Sequence, residues 1–191
     1  MNIAAQRRSA ALKGARLQLD IFKPEHITHR YLTWLSDDQV NEFSRRLGKP
    51  RMSAQDAHAW LQSLGEDEVV YAIQAPRFGH IGNVKYGPIN WSNLAVDISI
   101  LIGEKESWGH GFGAEAVYLV SKHLFEDRQV NRLAAASVNP AFIRMVQKLG
   151  WQQEGVQREE SRVGGKFYDS VLLSLLKRDF KILEQYEPAA S

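Results

Sequence analysis

Three glycines at alternate positions, Gly109, Gly111 and Gly113, lie in the segment SWGHGFGAEAV, between a strand-like run, DISILIG (97–103), and a run of good helix formers. Glycine weakens both kinds of element, so its concentration at this junction points to a use for bare backbone. A turn leading from a strand into a helix presents unpaired N–H groups and the positive end of the helix dipole, which together suit a phosphate. The spacing lacks the GxxxxGK[ST] of a nucleoside-triphosphate loop. Gly109, Gly111 and Ala114 do satisfy the dinucleotide pattern GxGxxG/A. Against a dinucleotide, antiparallel strands come first, and the following strand closes on Asn139 where an acidic residue is expected. A nicotinamide or flavin nucleotide, and a tight turn with no ligand, stay open as alternatives.

The strand before the turn carries a second candidate for chemistry. Its alternation puts Val96, Ile98, Ile100 and Ile102 on one face and Asp97, Ser99 and Leu101 on the other. Asp97 therefore stands on the less apolar face, which suits either a cleft or water. The six histidines show no metal-ligand spacing, and with no cysteine there is no thiolate metal site, disulfide or cysteine nucleophile. No metal is expected.

The elements that would position these groups follow from periodicity. A short apolar alternation covers Leu17, Leu19 and Ile21. One amphipathic helix is expected from Pro24 through Ile27, Tyr31, Leu32, Trp34 and Leu35, broken near Ser36 and restarted by Asp37. Ser53 and Asp56 form a capping-box pattern opening a helix that stops before Gly65. Three β-branched, aromatic segments, 69–75, 79–91 and 94–104, are separated by Pro, Gly and Asn turns, as antiparallel hairpins are. A helix follows the glycines, with Ala116, Val117, Val120, Leu124 and Phe125 facing inward. A strand at 131–138, a helix capped by Asn139 with Pro140 at its first position and Gly150 past its end, and two strands around Gly164 and Gly165 complete the chain. Strand, crossover helix and strand imply one parallel pair in a mixed sheet.

The 191 residues, 44% hydrophobic and 24% charged, suit one globular domain with a full core. A net charge of +2 gives no argument for nucleic acid. Arg7, Arg8, Lys13 and Arg16 meet no acid nearby in sequence, so residues 1–14 are expected to form a basic, mobile arm. The domain proper is expected at 15–182 and a tail at 183–191. No apolar run spans a bilayer and no signal segment opens the chain, so no membrane partner and a cytoplasmic setting are expected.

SWGHGFGAEAV resembles the pyrophosphate turn of the GNAT superfamily of acyl-coenzyme A dependent N-acetyltransferases, whose pattern is Arg or Gln, two residues, Gly, one residue, Gly or Ala. Trp108 stands at the Arg/Gln position and Gly111 and Gly113 at the glycine positions. NPAFIRMVQKLGW and EGVQREESRVGGKFYDSVLLSLLKRDF resemble two further segments of the branch containing ribosomal-protein N-terminal, spermidine and amino-sugar acetyltransferases.

The resemblance implies an α+β fold, with a mostly antiparallel sheet, flanking helices and a parallel pair at the cofactor cleft. It also implies acetyl-CoA as donor and direct transfer to a primary amine of a small molecule or peptide, a protein N-terminus or a nucleotide-linked amino sugar being the leading acceptors. The pyrophosphate would rest on the backbone of Trp108, Gly109, His110, Gly111, Phe112, Gly113 and Ala114, and the pantetheine arm on Ile100, Leu101, Ile102 and Asn139. Asp97 would be the base. Phe142 and Val146 occupy the places of the usual Ser and Tyr, so Tyr168, Tyr86, Ser99 or water would protonate the leaving thiolate, or the thiolate, far more acidic than an alcohol, would leave unprotonated. Trp34, Tyr86 and Trp91 are candidates for an acceptor wall, with core packing as the alternative for each. A coenzyme A-binding module without turnover is the alternative function, and a strand edge could support a homodimer.

Overall fold

The computed structural model describes residues 11–44 and 46–189. These form one eight-stranded sheet, ordered β1 (Leu12–Lys13), β2 (Gln18–Ile21), β3 (Val69–Ala75), β4 (Gly79–Tyr86), β5 (Ala95–Ile102), β6 (Arg132–Ser137), β8 (Lys166–Leu176) and β7 (Gln152–Val163). Every neighbouring pair is antiparallel except β5 and β6. The helix α3 (Phe112–Glu126) makes the crossover between those two. The mixed α+β architecture expected from the sequence is the one observed.

The strands' alternation divides the core in two. Tyr71, Ile73, Val84, Tyr86, Val96 and Ile98 face α3, whose Val117, Val120, Leu124 and Phe125 are fully buried against them, and α4 (Pro140–Lys148) joins this layer through Val146. Val70, Ala72 and Leu101 face the other way. They pack with Phe22, with Tyr31 and Trp34 of α1 (His29–Trp34), and with Ala57 of α2 (Ala54–Gln62).

The capping predictions at Ser53 and Asn139 hold. The Ser53 and Asp56 side chains cap reciprocally, and Asn139 accepts from the N–H groups of Ala141 and Phe142. The single helix expected from Pro24 is instead a 3-10 turn, Pro24–His26, followed by α1, because the Thr28 side chain caps at Tyr31 N–H. No helix restarts at Asp37; its Oδ1 accepts from Gln39 and Val40 N–H and holds a turn.

The termini also differ from expectation. Residues 1–10 of the expected basic arm lie outside the described residues, but Leu12–Lys13 pairs with Gln18 and Leu19 in the sheet. Arg16, expected to meet no acid, is bonded to Glu115. Of the expected tail, residues 190–191 lie outside the described part. Glu187 accepts from Tyr118 Oη at 2.5 Å and Lys122 Nζ at 2.5 Å, and Tyr186 O accepts from Ala15 N–H at 3.1 Å, so the segment around 186–187 is tied both to α3 and to the N-terminal hairpin.

Candidate active site

The sheet opens at β5 and β6. Their parallel register runs only from Ala95–Arg132 to Asp97–Ala134, whereas β5 continues to pair with β4 as far as Ile102. Gly87 N–H donates to Asp97 O and Gly103 N–H to Ile81 O, so the odd-numbered residues of β5 turn their peptide groups toward β4. Alternation then turns the peptide groups of Ile98, Ile100 and Ile102 toward the opening. An extended amide-bearing chain laid there would find a ready strand edge.

At the upper end of that edge the Trp108 indole Nε1 donates to Ile102 O at 3.0 Å. Of the three β5 residues expected to hold the pantetheine arm, Ile102 thus has its carbonyl already engaged. Leu101 turns toward α1, leaving Ile100 best placed.

The chain then enters α3 through the glycine turn. Gly109 and Gly111 both sit at φ +78°, in the left-handed region that disfavours L side chains. Gly113 lies in the first turn of α3, where a Cβ would come 3.3 Å from Met145 Sδ and 3.7 and 3.8 Å from Ile102 and Ile100, tight against the α4 side of the cleft. Whereas α1, α2 and α4 carry side-chain caps, α3 starts on left-handed Gly111 with none. Its first N–H groups are thus left to another acceptor.

His110 belongs to this turn as a brace: Nδ1 donates to Ser107 O and Trp108 O, and the ring stacks on Phe112 at 5.8 Å. Ala114 follows in the same first turn of α3.

On the α1 face of the sheet, Asp97 and Ser99 are both exposed. Two ion pairs flank them. Lys85, opposite Ser99 in the register, bonds Glu68 at 2.6 Å, and Arg132 forms a two-pronged pair with Glu154. The Arg132 guanidinium, aided by the Ser174 hydroxyl at 2.7 Å, pulls the Glu154 carboxyl down to about 2. Among the described residues neither cation makes a hydrogen bond or ion pair with Asp97, although Arg132 is close enough to feel its charge.

The aromatic candidates separate. Trp34 is buried against Gly103, where any Cβ would overlap its ring, so it is a wall of the core rather than an open surface. Tyr86 is buried on the α3 face, 6.3 Å from the Tyr71 and His123 rings, on the side of the sheet opposite Asp97. It is thereby removed both from the acceptor wall and from the candidate thiolate acids. Trp91 is exposed, but its Nε1 donates to Asp67 and Arg128 lies 5.3 Å over its ring.

Asn139 spends its side-chain oxygen as the α4 cap, at 2.9 Å from Ala141 N, so any contact with a pantetheine arm falls to its amide nitrogen. Val146 is wholly buried and Phe142 half-buried, so α4 supplies no hydroxyl at the two places where the resemblance led one to be expected. Tyr168 shares the Ser161 and Ser170 face of the β7–β8 hairpin, and Leu47 comes 3.1 Å from the place of a Gly164 Cβ at the hairpin tip. The hairpin and the segment after α1 thus meet over the Asp97 side of the sheet. Among the described residues, no group of three or more His, Asp or Glu is placed to hold a metal ion.

Two residues at the turn escaped sequence reasoning, Arg16 and Glu115. The available signal was a glutamate next to the inward stripe of α3, a position that requires a buried partner.

Residues 16–152 match a protein family described as the acetyltransferase (GNAT) domain. An uncharacterized N-acetyltransferase, p20, of Bacillus licheniformis is 30% identical over 102 residues, 52% of this chain and 57% of that protein, so the match spans little more than half of the relative's length. A prophage-derived uncharacterized N-acetyltransferase of Bacillus subtilis, YokL, is 24% identical over 88% of this chain and 94% of its own. Among solved structures, the fold is similar to spermidine N-acetyltransferase from Vibrio cholerae in complex with CoA and spermine. The TM-score there is 0.77 at 16% identity, covering 86% of this chain and 97% of that one. With the family pattern spanning the glycine turn, the open parallel pair and the crossover helix, the chain belongs to the GNAT acetyltransferase domain family.

Proposed function

We propose that this chain is an acetyl-CoA dependent N-acetyltransferase acting on a primary amine. The observation that carries the proposal is the junction of an unpaired β5 edge with a helix that begins on left-handed glycine and has no side-chain cap. The two parts suit the two halves of coenzyme A, an amide-bearing arm and a pyrophosphate.

When bound, acetyl-CoA would supply a thioester carbonyl open to attack by an amine. The turn residues Gly109 to Gly113 would hold the phosphates by backbone N–H groups, and the edge of Ile98 and Ile100 would align the arm and donate to the developing oxyanion. Asp97 would take the proton from the attacking amine, and Ser99, two residues along on the same face, would be the nearest hydroxyl on β5 to serve the leaving sulfur. With α4 lacking a hydroxyl, Ser99, Tyr168 or water would return a proton to the thiolate.

The acceptor is the finer question. Spermine in the Vibrio cholerae complex makes polyamines reasonable trial acceptors; protein N-termini and nucleotide-linked amino sugars are the others. Incubation with acetyl-CoA and an amine panel, read by mass spectrometry, should give a +acetyl product that requires both the chain and one class of amine. No product with any amine would refute the proposal. A coenzyme A-binding module without turnover is the second possibility, favoured by the buried Val146 in the usual tyrosine place. It predicts binding of coenzyme A with no thiol release for every acceptor.

A further inference from the structure

The glycine turn is anchored from the side of the N-terminal hairpin. Arg16 donates its backbone N–H to Glu115 Oε1 at 2.7 Å, its Nε to Glu115 Oε2 at 2.9 Å, and its Nη1 to His110 O at 2.8 Å. Its guanidinium carbon lies 5.3 Å from the Phe112 ring centroid, and a Cβ at Gly111 would be 3.5 Å from Nη2. One side chain therefore touches the carbonyl of the turn, the ring at the first position of α3 and a carboxylate one turn further in.

Glu115 is completely buried. It lies four residues beyond the Gly111 cap, about 6 Å along the helix axis. A lone carboxylate at that depth would oppose the dipole that favours an anion at the helix end, and weak screening would let it act there. The fit around it is close: a Cβ at Gly14, just after β1, would fall 2.6 Å from Glu115 Oε1 and would force that carboxylate to shift. The hairpin is thus shaped to bring Arg16 against Glu115. The planar guanidinium serves the carboxylate and the turn carbonyl together, through Nε and Nη1, while its charge offsets that of Glu115.

We infer that Arg16 is a positioning residue of the cofactor site, neutralising Glu115 beneath the first turn of α3 so that this helix end can receive an anion. The inference rests on the proposed placement of coenzyme A phosphates at the glycine turn. It makes the β1–β2 hairpin part of the cofactor site, although no residue of it needs to touch the cofactor.

The test is calorimetric titration of coenzyme A into the full chain, the Arg16→Gln and Glu115→Gln single variants, and the double variant, with thermal melts recorded alongside. Arg16→Gln is expected to weaken binding about tenfold or more, and the double variant to recover to within about threefold of the parent, even with a lowered melting temperature. An Arg16→Gln protein that binds as tightly as the parent, or a double variant as weak as the single, would overturn the inference. If Arg16→Gln does not fold, Arg16→Lys, which keeps the charge and loses the fork, should bind within about threefold of the parent; a loss of about tenfold would overturn it. A parent chain that binds no coenzyme A overturns the proposed function and this inference together, whereas parental binding with an unaffected Arg16→Gln overturns the inference alone.

Discussion

Asp97 and Ala134 form the last rung of the parallel pair between β5 and β6. Beyond them β5 stays joined to β4 while β6 stays joined to β8, so the carboxylate of Asp97 stands at the point where the sheet divides.

Asp97→Asn keeps size and hydrogen bonding but removes the proton acceptor. Turnover is expected to fall by about 100-fold or more with coenzyme A affinity little changed. Steady-state kinetics with acetyl-CoA titrations at saturating amine check this; an unaltered rate across the pH range would remove Asp97 from the role.

Gly111→Val places a β-branched residue at φ +78° on the α3 cap. The strain is expected to cost about 1–2 kcal/mol of stability, and the crowded turn to lose coenzyme A binding. A folded variant, verified by circular dichroism, that binds normally would show that the turn is not the phosphate cradle.

Gly103→Ala tests the packing behind the site. Its Cβ would overlap the Trp34 indole, and rebuilding that contact is expected to cost about 1–3 kcal/mol, read from urea melts. Trp34 fluorescence should shift with it. A neutral substitution would mean that α1 moves freely over β5.

Two histidines set an acid limit. Burial lowers the pKa of His80, against the partial opposition of its bond to Asn83, and burial likewise lowers that of His123 beside Asp127 and Arg128. Because the unfolded chain binds these protons more readily than the folded one, stability is complete above the unfolded value of about 6.5 and declines as pH falls below it. Melting temperatures taken downward from neutral pH should fall first in this range, and less steeply for His123→Gln; a flat profile there would contradict it.

Much of this was legible in the chain because it is local. The caps at Ser53 and Asn139, the turn at Gly164 and Gly165, and the strand–glycine–helix junction are all signalled within a few residues. What was not legible depends on partners distant in sequence. Arg16 and Glu115 are 99 residues apart, so a paired cation looked like part of a loose arm. Tyr86 and Trp34 carry the composition of a ligand wall, but the face each one shows is fixed by strand register and by Gly103. Helix α1 is capped by Thr28 and starts at His29 rather than Pro24 because the threonine hydroxyl takes a backbone donor, a choice that propensity alone leaves undecided.

In the proposed function the glycine turn and the open β5 edge together serve acetyl transfer to an amine. The most direct measurement is release of free coenzyme A thiol from acetyl-CoA, followed with a thiol reagent, in the presence and absence of primary amines. Amine-dependent release that is lost in Gly111→Val and strongly reduced in Asp97→Asn is the predicted result. Release that does not depend on any amine, or that survives both substitutions, would contradict it.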